Sequence, residues 1–204
     1  MAHPRTDRGL DRLVNFSDAT VAIAITLLIL PLVDIAGESS GRDLGGLLAD
    51  NIGAVVSFAI TFAVIGRFWS VHHTVFEYAV SYNRRLVNAN LVWLASIVFL
   101  PFAANVISRS SGERANSALY IGTMVVTSGS AAVIDWLLTH EPGLGDPATI
   151  GRLRVTPAVI STALFALALV VAVVFPVVNL YALLLLLLGR PIGALVSNRK
   201  KASE

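Results

Sequence analysis

Arg12, Phe16, Ser17 and Asp18 stand at the mouth of an apolar run, Ala19–Val33, that contains no Asp, Glu, Lys or Arg. A carboxylate in such a place is costly unless it is partnered, so Asp18 asks for donors from elsewhere in the fold. Beyond Thr20, the run up to Leu30 offers one polar side chain, Thr26. A threonine oxygen can accept from water or coordinate a cation. Stacked apolar side chains on either side of it can close a water path by dewetting. These groups suit the handling of ions, and they suggest a pore helix with a braced entrance rather than a catalytic centre.

Partners for Asp18 have to come from other segments at the same depth. His72 and His73 fall at the inner end of a second apolar run, and Asn88, Asn90 and Trp93 at the inner start of a third. Asp18 is expected to accept hydrogen bonds from this polar network, with Arg12 close by. Ser17 or Asp18 can also cap the helix N-terminus, which the macrodipole favours. A metal site is not expected. Adjacent histidines on a helix diverge by about 100°, and no third ligand is evident. The chain has no cysteine, which removes thiolate ligands, a cysteine nucleophile and disulfides.

The elements that must position these residues are membrane spans. Only 14% of the chain is charged, against about 25% in soluble domains. The charge-free runs Ala19–Val33, Asn51–Gly66, Leu86–Ser108, Ala115–Ile134 and Val155–Gly189 account for the shortage. A spanning helix needs about 20 apolar residues. The last run would be about 52 Å long as one helix, too long for one crossing, and Pro176 and Asn179 interrupt it. The reading is a single all-α membrane domain, 1–204, with six spans at about 13–33, 47–71, 86–108, 115–138, 156–175 and 177–196. The first span is read as retained rather than as a secretory signal, because no small-x-small cleavage site fits.

Charge bias sets the orientation. With the N-terminus inside, twelve of the fifteen Lys and Arg residues fall on the inner side or at an inner span end, among them Arg67, and only Arg42, Arg109 and Arg114 lie outside. Six spans then place both termini in the cytoplasm. The basic pI, near 9.3, comes from this grouping. No basic patch is interleaved with aromatics, so no nucleic-acid partner is expected.

At about 100° per residue, Ile23, Thr26, Leu27 and Leu30 share one stripe of the first helix, extended inward by Phe16 and Thr20. Asp18 lies about 140° from Ile23, beside Ala22, Ile25 and Ile29. If Ile23 faces a pore, Asp18 faces protein. Two readings of the stripe remain at this point. It forms apolar rings round a water path with one hydroxyl between them, or it packs against another helix while Thr26 bonds its own backbone.

Arg-x-x-x-Phe-Ser-Asp followed by Ala-x-x-Ala-Ile-x-Ile-Thr-Leu-Leu-x-Leu, over Arg12–Leu30, strongly resembles the first helix of the bacterial relatives of the endolysosomal potassium channel. Phe68-Trp69-x-x-His72-His73-x-x-Phe76 resembles that family's second-helix ending. The resemblance implies a homotetramer of six-helix subunits in the bacterial plasma membrane, surrounded by lipid, with the first helix lining a central pore. It implies constriction by Ile23, Leu27 and Leu30, cation preference from Thr26, and a structural motif of Arg12, Phe16, Ser17 and Asp18. The permeant ion would be potassium, with no cofactor. The chain has no Thr-Val-Gly-Tyr-Gly filter, so a conducting path would lack a carbonyl ring and discriminate modestly.

Two other classes compete. A secondary or proton-coupled transporter would carry ionisable residues near mid-membrane, whereas Asp18, Asp135 and Arg67 read as lying toward span ends. An enzyme would need a nucleophile, base or metal cluster converging on one site, and only His72, His73, Glu77 and Asp18 are available.

Overall fold

The structure is a computed structural model, and it describes residues 7–38, 43–108 and 113–175. The described chain is helical: α1 Asp7–Leu27, α2 Leu30–Glu38, α3 Leu44–Asp50, α4 Ile52–Phe76, α5 Arg84–Ser108, α6 Arg114–His140 and α7 Val155–Val174, with a 3-10 turn at Ile150–Arg152. Five stretches are long and apolar enough to cross a membrane: Arg8–Gly37, α4, α5, α6 and α7. The sixth expected span, 177–196, lies outside the described residues.

The first span is not one continuous helix, as the sequence suggested. The ladder tightens at its end: the Leu28 and Ile29 amides reach back only three residues, to Ile25 O and Thr26 O, both at 3.3 Å. Pro31 is the cause. It has no N–H to offer the Leu27 carbonyl, and its ring crowds that carbonyl. The chain re-enters a helix at Leu30, where a proline in the first turn is tolerated. The second span also starts later than expected. Leu47 belongs to the separate α3, and Asn51 parts it from α4.

α5 is the centre of the bundle. It buries Leu86, Asn90, Trp93, Leu94, Ile97 and Leu100 and packs against α1, α4 and α6. The α6 face turned to its neighbours is built of small polar residues. Thr127 donates to Ser96 Oγ on α5 at 2.9 Å, Ser128 and Thr162 of α7 share a bond of 3.0 Å, and Thr61 of α4 and Tyr120 share one of 3.1 Å. Small side chains let helices approach closely in lipid, where apolar burial gives no driving force, and each such bond contributes about 0.6 kcal/mol.

At the end where α4 turns into α5 and α6 into α7, the two connectors are sewn together. Val80 N donates to Leu144 O at 2.8 Å, Asp146 N donates to Tyr78 O at 2.8 Å, and Ala79 and Gly145 form an antiparallel bridge. Glu141 accepts from Arg85 at 2.9 Å and from Asn83. The start of α1 rests on the same plate. Gly9 sits so close to Tyr82 that a Cβ there would stand 2.7 Å from the ring Cε1.

Candidate pore-lining helix and its brace

The register of α1 separates two faces. Ser17, Val21, Ala24 and Leu28, spaced by four, three and four residues, are buried against the bundle. Phe16, Ile23, Leu27 and Leu30 point the other way and are 57%, 61%, 40% and 50% exposed. A stripe of large apolar side chains is thus left bare along the protomer, on the side away from its core. Thr26 is also exposed and donates its hydroxyl proton to Ile23 O at 2.8 Å. With the proton committed, its oxygen lone pairs are what it can present outward.

Behind α1 a chain of hydrogen bonds crosses to α4. Ser17 Oγ donates to Leu13 O at 2.8 Å and accepts from Asn90 Nδ2 at 2.9 Å. Asn90 Oδ1 accepts from His72 Nε2 at 2.7 Å, which places the imidazole proton on Nε2. Asn90 and Ser17 are fully buried and His72 nearly so. The His72 ring stacks on Trp93, with centroids 3.9 Å apart and planes at 17°, and its other neighbour is Phe76 at 4.5 Å. Ser17, Asn90, His72 and Trp93 therefore form one interior brace. Trp93 Nε1 is buried with no partner among the described residues.

Asp18 does not join this string. It accepts from Trp69 Nε1 of α4 at 2.9 Å. Trp69 stacks on His73 at 5.5 Å, and His73 Nε2 lies 3.8 Å from Glu77 Oε1. This second string runs along the surface. Ser17 and Asp18 are about 100° apart on the helix, so the first meets α5 and the second meets α4. The expectation that Asp18 would bond His72, His73, Asn88, Asn90 or Trp93 is corrected accordingly. Asn88 is exposed, because two residues from Asn90 it lies on the far side of α5. Arg12 is exposed and forms no ion pair among the described residues. Trp69 is the residue that sequence reasoning missed as a partner. Its signal was an indole, a pure donor, at a depth where a carboxylate needed one.

No group of His, Asp or Glu among the described residues is arranged to hold a metal ion.

Apolar spans, a bare stripe on the first helix and polar strings holding its other face define a multi-pass helical membrane protein of the ion-channel class. A family profile described as endosomal/lysosomal potassium channel TMEM175 matches residues 12–101. A potassium channel of Streptomyces collinus is 31% identical over 140 residues, covering 67% of this chain and 68% of the relative. The chain belongs to the TMEM175 family, which is a family of channels and not of enzymes. The mouse endosomal/lysosomal proton channel TMEM175 is 24% identical over 151 residues, 71% of this chain but 30% of the mouse protein. The fold matches the crystal structure of a lysosomal potassium-selective channel TMEM175 homolog from Chamaesiphon minutus. The TM-score there is 0.70 at 20% identity, over 93% of this chain and 98% of that one.

Proposed function

We propose that the chain is one subunit of a homotetrameric, potassium-permeable cation leak channel in the bacterial plasma membrane. The six spans form a single domain with both termini in the cytoplasm. The observation that carries this reading is the exposed stripe of α1, opposite a face held by buried hydrogen bonds. Four copies of α1 round an axis would cover the stripe. Ile23, Leu27 and Leu30 would then form apolar rings that gate by dewetting, and Thr26 would set one hydroxyl oxygen per copy between them. No carbonyl filter takes part, no cofactor is needed, and selectivity over sodium is modest. The relatives named as potassium channels support potassium as the permeant ion. The mouse relative named as a proton channel supports proton permeation as a second reading.

Purified protein in liposomes with a potassium gradient should set a membrane potential close to the potassium equilibrium value. A pH dye trapped inside separates proton flux from potassium flux. Ile23→Asn should raise the flux by wetting the constriction, and Thr26→Val should lower the preference for potassium. Tetrameric, folded protein that passes no potassium in either orientation would overturn the reading. Saturable flux with fixed proton stoichiometry would replace the channel by a transporter.

A further inference from the structure

Arg67 is a charge in the wrong place for a single copy of this chain. It is exposed, and it lies on the side of α4 opposite the buried Ile65, His72 and Phe76. The His72–Asn90 bond gives its depth. Asn90 is six residues in from the start of α5 at Arg84, and Arg67 is five residues beyond His72 on α4. At ~1.5 Å per residue, Arg67 stands about 16 Å from the level of Arg84, near the middle of a ~30 Å hydrocarbon core. The sequence reading placed it toward the inner end of the span, and the helix register moves it deeper.

A guanidinium there needs acceptors. No hydrogen bond or ion pair joins Arg67 to another described residue. Outside the described residues the sequence has one carboxylate side chain, Glu204. Lipid phosphates lie too far along the helix. The nearer ones are at the Arg84 end, and the Cα–Cβ bond leans the other way, toward Ile52. The surface round Arg67 is apolar or small: Val56, Ile60, Ala63, Ser70 and Thr74 share its stripe and are exposed. Small residues at a helix surface admit a second helix at close range. The Trp69–Asp18 bond sets α4 beside α1, so a copy that covers the α1 stripe has this face of α4 as its next neighbour.

We propose that the α4 face centred on Arg67 is a contact between subunits, in which a second copy of the chain supplies oxygen acceptors to the guanidinium at mid-membrane. The proposal rests on the tetrameric reading. The chain is free of cysteine, so Ala63→Cys and, separately, Ser70→Cys give single nitroxide sites that leave Arg67 in place. Subunit number is measured first, by native mass in detergent. In liposomes, both labels should collide with oxygen several-fold less often than a nitroxide on a lipid chain in the same bilayer. Their dipolar broadening should vanish when labelled protein is diluted with unlabelled protein before assembly. A tetramer whose labels meet oxygen freely would place this face in lipid and overturn the proposal while sparing the tetramer. Shielded labels with no dilution effect would assign the cover to residues 176–204 of the same copy, and also overturn it. A monomer would overturn both.

Discussion

At one end of α1, Gly9 is pressed against Tyr82, Ser17 is tied through Asn90 to His72, and Asp18 is held by Trp69. At the other end, the helix breaks at Leu28 and Ile29, and the short α2 that follows rests mainly on α4. The proposed constriction straddles the difference. Ile23 and Leu27 belong to the tied half, and Leu30 lies beyond the break. Ring position is therefore set by buried polar geometry for two of the three residues. For Leu30 it is set by a proline-interrupted turn, whose free energy of local opening should be the lower. The lesson is that the polar residues of this helix hold the apolar ones in register, although they stand on different faces.

The comparison is broken most directly at Asn90. Asn90→Leu leaves the His72 Nε2 donor and the Ser17 hydroxyl without their buried partner, at about 1–3 kcal/mol each. The far-end counterpart is Ser57→Ala, which removes one bond of 3.2 Å to Ala104 O and should cost about 0.6 kcal/mol. Thermal unfolding followed by size-exclusion in detergent orders the two. Equal losses would mean that the two ends are held alike.

Glycines offer a second comparison, of intermediate size. A Cβ at Gly145 would meet Leu138 O and Ile150 Cδ1, both at 2.7 Å, and the carbonyl belongs to the backbone and cannot swing aside. Gly145→Ala is expected to cost about 1–3 kcal/mol through overpacking. Gly37 in α2 has nothing within 4 Å of the same position. Gly37→Ala should stabilise its helix by about 0.5–1 kcal/mol, the usual gain at an unobstructed helical site. The same melting experiment reads both. A loss at Gly37 as large as that at Gly145 would show that the far end is covered as tightly as the connector plate.

What could be read from the sequence follows what lipid enforces. Charge-free runs of span length had no other use, and the described spans match them within a few residues except where α3 intervenes. The α1 stripe followed from helical period, because Ile23, Leu27 and Leu30 repeat at helical spacing. The break in α1 was less visible. Pro31 was read as lying at the end of an apolar run, whereas its effect acts four residues earlier, on the Leu27 carbonyl. The partners of Ser17 and Asp18 were not legible. They depend on how α4 and α5 are rotated, and a rotation of about 100° exchanges one set of donors for another. The bridged connectors left no periodic mark, since they consist of five or six residues each and are joined through backbone groups that every sequence carries.

The smallest expected effect concerns pH, and it again separates the two ends. Glu141, in the connector plate, has its carboxyl held below its ordinary 4.5, first by the hydrogen bond from Arg85 and further by that from Asn83, against a smaller opposing effect of burial. Asp146 is lowered as well, by the Ala148 amide first and then the Thr149 hydroxyl. A carboxylate with a depressed pKa in the folded state contributes its full stability above the unfolded value. It loses that contribution as pH falls through the folded value. The plate should therefore keep its hydrogen-exchange protection at the Val80 and Asp146 amides between about pH 7 and 5, and lose it only in stronger acid. Glu141→Gln should flatten part of that loss and leave the remainder to Asp146. Protection that already falls between neutral pH and pH 6 would mean that a histidine, not these carboxylates, controls the plate.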